Sequence, residues 1–141
     1  MGFDQAMLSE GGLTGGPGGY VLTLRLPWMR SLPWSCVEEV DVALDGQSVN
    51  DDALAFEVDG ALVAPQQLSG RWQDYWVVGR PVRLHIRSGP AVPTGRRVRV
   101  DLTLRLRIPY LILGPAGPLV LPVRASRELQ VRGATLEGAT K

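Results

Sequence analysis

The chain has 141 residues, enough for one domain with its own core, and its 45% hydrophobic and 21% charged residues are ordinary for a globular protein. A formal net charge of +1 removes the electrostatic footprint of a nucleic-acid binder. A single cysteine, Cys36, excludes an intrachain disulfide, and with a single histidine, His85, no clustered spacing suggests a metal site built by this chain.

The first residues, MGFDQAMLSEGG, have no basic region leading into an apolar one, and no apolar run approaches the ~18 residues of a membrane span. A soluble, cytoplasmic protein is the expectation. Residues 1–19 end in GGLTGGPGG and read as a flexible Gly-rich arm or linker that packs on a partner. No Lys-Ser/Thr pair follows these glycines, so they do not make a phosphate-cradling loop. Tyr20 to Leu26 then alternates as a strand and stops at Pro27.

Leu26 to Cys36 holds two Leu-Pro-Trp units. Two prolines rule out a helix and oppose a regular ladder, which leaves an ordered loop with large aromatic surface. Trp and Arg are the residue types in which interfaces concentrate binding energy, so Trp28, Met29, Arg30 and Trp34 suggest a contact loop. The alternative is that Trp28 and Trp34 plug the open end of a sandwich.

Val37 to Val49 reads as a hairpin around Asp45-Gly46, and Ala53 to Val63 as a second around Asp59-Gly60. Glu38, Glu39, Asp41, Asp51, Asp52, Glu57 and Asp59 give this half most of its acid, read as solvated faces rather than as a catalytic pair. A second aromatic cluster, Trp72, Tyr75 and Trp76, follows; its spacing of four does not decide between helix and strand. Val82, Leu84 and Ile86 then alternate with polar residues, which puts His85 on a polar face as a solvated or hydrogen-bonded side chain. Nothing in the spacing supports a Cys36–His85 dyad. No catalytic residue is assigned to the chain.

Ser88 to Gly95 is a turn, and Arg97 to Ile108 is the most regular strand: six aliphatics alternate with six polar residues. It is read as the central strand of a sandwich, ending at Pro109. Leu22 to Leu26 and Leu102 to Leu106 share the sequence LTLRL, each followed closely by a Pro-aromatic pair, Pro27-Trp28 and Pro109-Tyr110. The echo suggests two strands of one sheet. The apolar bursts Leu111 to Leu113 and Leu119 to Leu121, around GPAGP, call for cover from the core or another subunit. Val123 to Val131 offers a last edge strand, and 133–141 a polar tail. The fold expected is all-β: an antiparallel or mixed β-sandwich, one domain over residues 20–132.

The order LRLPW-x-R-x-LPWS, then VEEVDVALDG, an RW…YW block, RPVRLHI and VDLTLRLRIPYL, resembles the small β subunit of bacterial C-glycoside deglycosidases, over roughly Tyr20 to Val131. The resemblance implies a β-sandwich complexed with a larger TIM-barrel α subunit. That partner holds the catalytic groups and a divalent metal, manganese; this chain holds no cofactor. The complex cleaves the carbon–carbon bond between sugar and aglycone in 3-oxo-C-glycosides, flavonoid C-glycosides among the parent compounds. Trp28, Arg30 and Trp34 are then expected to touch the partner or wall its substrate cavity, with the 3-oxo-C-glycoside at the subunit interface and Trp72, Tyr75 and Trp76 adding to that wall. The competing expectations are a free-standing carbohydrate-binding sandwich and a self-assembling one.

Overall fold

Alternation of dry and wet side chains decides the architecture. In the computed structural model, which describes residues 7–16, 19–87, 94–112 and 114–133, Val98, Val100, Leu102, Leu104, Leu106 and Ile108 are all buried, while the residues between them face outward. At roughly 1.5–3 kcal/mol per buried large aliphatic, this strand alone makes a slip in register prohibitive.

The strands are β1 (Leu8–Gly16), β2 (Gly19–Leu24), β3 (Leu32–Pro33), β4 (Val37–Leu44), β5 (Gln47–Ser48) and β6 (Leu54–Val58). They continue with β7 (Ala61–Val63), β8 (Tyr75–Trp76), β9 (Val82–Ile86), β10 (Arg97–Ile112), β11 (Pro118–Gln130) and β12 (Arg132–Gly133). One sheet runs β12-β1-β2-β9-β6-β7, a second β11-β10-β4-β5, and β3 pairs with β8 in a two-stranded ribbon. All pairs are antiparallel except β1 with β12. The buried faces of both large sheets contribute to one hydrophobic cluster, from Leu22, Phe56 and Leu84 on one side to Val42, Leu102 and Leu104 on the other. This is the mixed, all-β sandwich that the alternation predicts. The interior position of β10, between β11 and β4, also matches its reading as a central strand.

Both hairpin turns form as their sequences dictate. Asp45 and Gly46 take φ of 49° and 83°, Asp59 and Gly60 the same two values, and two successive positive φ angles match the right-handed twist of the strands they join.

Three expectations need correction. The Gly-rich stretch is not wholly an arm: Leu8–Gly16 is strand β1, paired with β2, and Met7, Leu8 and Leu13 are buried. Its small residues are what the site requires, because a Cβ on Gly15 would lie 2.8 Å from Val131 Cγ1, and one on Gly19 would collide with the Ile86 carbonyl oxygen. The two LTLRL strands lie in opposite sheets, β2 in the larger and β10 in the smaller. The long strand also does not end at Pro109. Its pairing with β11 breaks after Ile108 and resumes at Ile112 with Pro118, so an irregularity absorbs the proline's missing N–H. The tail from 134 and most of the Ser88–Gly95 turn lie outside the described residues.

Candidate functional site

The two aromatic loops are one structure. Leu32 pairs with Trp76 and Pro33 with Tyr75, so the Leu-Pro-Trp loop and the second cluster are stitched together by β3 and β8. Trp34 N donates to Asp74 O at 2.9 Å and Ser35 N to Arg71 O at 3.2 Å, and the Arg71–Asp74 ion pair at 3.0 Å braces the turn between. A two-residue ladder tolerates Pro33 because so little of it needs the proline's donor.

Within this unit the four tryptophans divide. Trp34 and Trp76 are 2% and 1% exposed; their rings stack at 4.9 Å and 8°, with Phe56 tilted against both. The expectation that these two rings face a partner is therefore corrected: they close the sandwich, as the plug reading of Trp34 proposes. Trp76 Nε1 is buried without an acceptor among the described residues, a cost of about 1–3 kcal/mol that the stacking has to offset. Trp72, by contrast, is 65% exposed, and Tyr75 is exposed beside it. Trp72 and Trp76 do not share a side, because the segment between them is an irregular turn rather than a helix or strand.

Trp28 is half-buried on the core and donates from Nε1 to the Tyr110 hydroxyl. The Arg30 guanidinium lies over the same Tyr110 ring, 5.1 Å from its centroid, a cation–π arrangement. The Pro-aromatic ends of the two echoed strands meet on one rim, arriving from different sheets. Next to Tyr110 the β10–β11 hairpin presents Leu111, Ile112 and Val120 to solvent, and Met29 is exposed next to Trp28. Sequence reasoning flagged this hairpin only as apolar chain in need of cover; the pairing of Tyr110 with Trp28 and Arg30 spans about eighty residues of chain and left no local signal.

Beyond the ribbon, a groove of about 460 Å³ is lined by residues of β2, β6, β8 and β9 and their connections, among them Thr23, Glu57, Asp59, Tyr75, Arg80 and Arg83. His85 Nε2 lies 3.0 Å from Glu57 Oε1; a carboxylate only accepts, so this nitrogen carries the proton. The hydrogen-bonded reading of His85 holds.

The other reactive side chains among the described residues lie apart from one another. Cys36 is buried at the end of the short 3-10 turn Trp34–Cys36, its thiol pushed up in pKa by burial, with the Arg107 guanidinium pulling it back, and no contact joins it to His85 on β9 among the described residues. Glu38 and Glu39 hold Arg107 at 2.6 Å and Arg105 at 3.4 Å across neighbouring strands. Among the described residues no three of His, Cys, Asp and Glu are placed to hold a metal ion, and no helix is long and apolar enough to cross a membrane.

Comparison with known proteins adds the following. Residues 3–110 match a protein family described as the C-glycoside deglycosidase beta subunit. A C-glycoside deglycosidase beta subunit of Arthrobacter globiformis is 28% identical over 99 residues, covering 70% of this chain and 75% of its own. A 3'-dehydrocarminate deglycosidase beta subunit of Microbacterium sp. is 28% identical over 133 residues, covering 94% of this chain and 98% of its own. A further C-glycoside deglycosidase beta subunit, of Microbacterium trichothecenolyticum, is 27% identical over 112 residues, 79% and 83% of the two chains.

Proposed function

The chain belongs to the family of C-glycoside deglycosidase beta subunits, and from that premise we propose that it is the accessory subunit of a heteromeric, cytoplasmic lyase acting on 3-oxo-C-glycosides. Its partner is a larger α subunit of TIM-barrel fold that carries the catalytic groups. The reaction removes a proton next to the 3-oxo group and then expels the aglycone, so that the sugar–aglycone carbon–carbon bond breaks. The partner's divalent metal, manganese by the family resemblance, would act there as a Lewis acid.

The work of this chain is to dock and to wall. The observation that carries the reading is the rim on which Trp28, Arg30 and Tyr110 are locked together beside an exposed apolar hairpin tip. Aromatic and arginine side chains held in fixed conformations lose little entropy on binding, which is what an interface centre needs. Trp72 and Tyr75, tied to the same loop through the β3–β8 ribbon, extend the wall toward the substrate. Trp34 and Trp76, stacked on each other and buried, anchor the ribbon to the core.

Co-expression with the larger subunit, followed by size exclusion and assay on a 3-oxo-C-glucoside, tests the proposal. A complex of the two chains should cleave the compound and neither chain should do so alone. Failure to form a complex, or metal-dependent turnover by this chain in isolation, would contradict it.

A further inference from the structure

The groove on the outer face of the six-stranded sheet has a chemistry of its own. Thr23 pairs in register with Arg83 across β2 and β9, and Glu57 on the neighbouring β6 sits 3.9 Å from the Arg83 guanidinium, so these three side chains line one wet face. Asp59, at the turn after β6, and Arg80, before β9, add a second carboxylate and a second guanidinium, with the exposed Tyr75 ring among the lining residues.

Three properties of this lining choose the ligand class. Its charges cancel, two carboxylates against two guanidinium groups, so the groove attracts neither a phosphate nor a cation. Neither the Asp59 carboxylate nor the Arg80 guanidinium has a hydrogen bond or ion pair to another side chain among the described residues, and the Arg83–Glu57 pair is long at 3.9 Å. These groups keep free donors and acceptors in forked, planar geometry. The exposed Tyr75 ring offers a flat apolar face beside them, and the volume lies in the range of small-molecule sites. A neutral molecule with adjacent hydroxyls, each both donor and acceptor, and with an apolar ring face uses all three at once.

We propose that this groove is a binding subsite for a neutral sugar ring, with Asp59 and Arg80 hydrogen-bonding adjacent hydroxyls and Tyr75 stacking on the ring. The subsite is a property of this chain and does not depend on the partner subunit, so a complex that forms and turns over without sugar binding here overturns only this inference. The groove is open, and the affinity for one ring is roughly millimolar.

The test titrates methyl β-D-glucopyranoside into the isotopically labelled full chain, alone and in complex with the larger subunit, following the backbone amides of Glu57, Asp59, Tyr75 and Arg80 by NMR. Saturable shifts at these positions are expected. Each of Asp59→Asn, Arg80→Ala and Tyr75→Ala should weaken binding by about tenfold, the loss of one charge-assisted hydrogen bond or one stacking contact. All three side chains are exposed, so amide spectra away from the groove should stay unchanged and report that the variants fold. No saturable shift in either form, equal binding in the variants, or equal binding of inorganic sulfate or magnesium at these residues would overturn the assignment.

Discussion

Replacing Trp76 with alanine removes half of the Trp34–Trp76 stack together with its contact on Phe56, and should cost about 3–5 kcal/mol. Trp72→Ala, which touches only an exposed ring, should stay within about 0.5 kcal/mol of the parent. Urea denaturation of the two variants separates the buried indole from the displayed one. Nothing in the local sequence distinguishes them: both fall in one short aromatic cluster, and what buries Trp76 is Phe56 on a strand about twenty residues away and Trp34 about forty away. Gly19 is another position decided at a distance. Its φ of 145° and the Ile86 carbonyl oxygen facing it leave no room for a Cβ, so Gly19→Ala should destabilise by about 1–3 kcal/mol or more. Cys36 makes a prediction in pH. Burial holds its folded pKa above the unfolded value, so the stability it contributes is full below about pH 8.5 and is lost as pH rises through the folded value. Urea midpoints measured at neutral and alkaline pH should fall more for the parent than for Cys36→Ala.

At the scale of elements, the strands were legible because their periodicity is a local property. Val98 to Ile108 alternates in sequence and its dry face is buried, and Asp45-Gly46 and Asp59-Gly60 turn as their residue types demand. Strand β1 was not legible, since Gly11, Gly12, Gly15 and Gly16 carry no period; it exists because β2 and β12 offer it partners on both sides. The same holds for the two-residue strands β3 and β8, which are ladders only through each other. The β10–β11 hairpin beyond Ile108 is a different case, in which the apolar pattern was plain and its purpose was not. Ile112 is 59% exposed, next to Tyr110 and its partners Trp28 and Arg30. Under the docking proposal, Ile112→Glu should leave the stability of the chain within about 0.5 kcal/mol while weakening association with the larger subunit by at least about tenfold. Unfolding midpoints and a binding titration on the same preparation measure both.

For the molecule as a whole, the sandwich joins a packed body to one elaborated end. Arginines along β10 meet Glu38, Glu39 and Asp101 in exposed ion pairs, each worth at most about 1 kcal/mol, so that flank reads as a solvated surface. The rim end, where β2 and β10 finish, gathers Trp28, Arg30, Tyr110 and the hairpin tip, with the sugar-compatible groove opening near the start of β9. Family membership came from residue order in the sequence; which of the aromatic residues could face a partner came only from the three-dimensional packing. The most direct measurement is hydrogen–deuterium exchange of the full chain with and without the larger subunit. Docking through the rim predicts slowed exchange over residues 26–34 and 108–121, with positions 97–103, at the far end of β10 from the rim, unchanged. Protection confined to 97–103 and 124–130, with the rim unaffected, would contradict it.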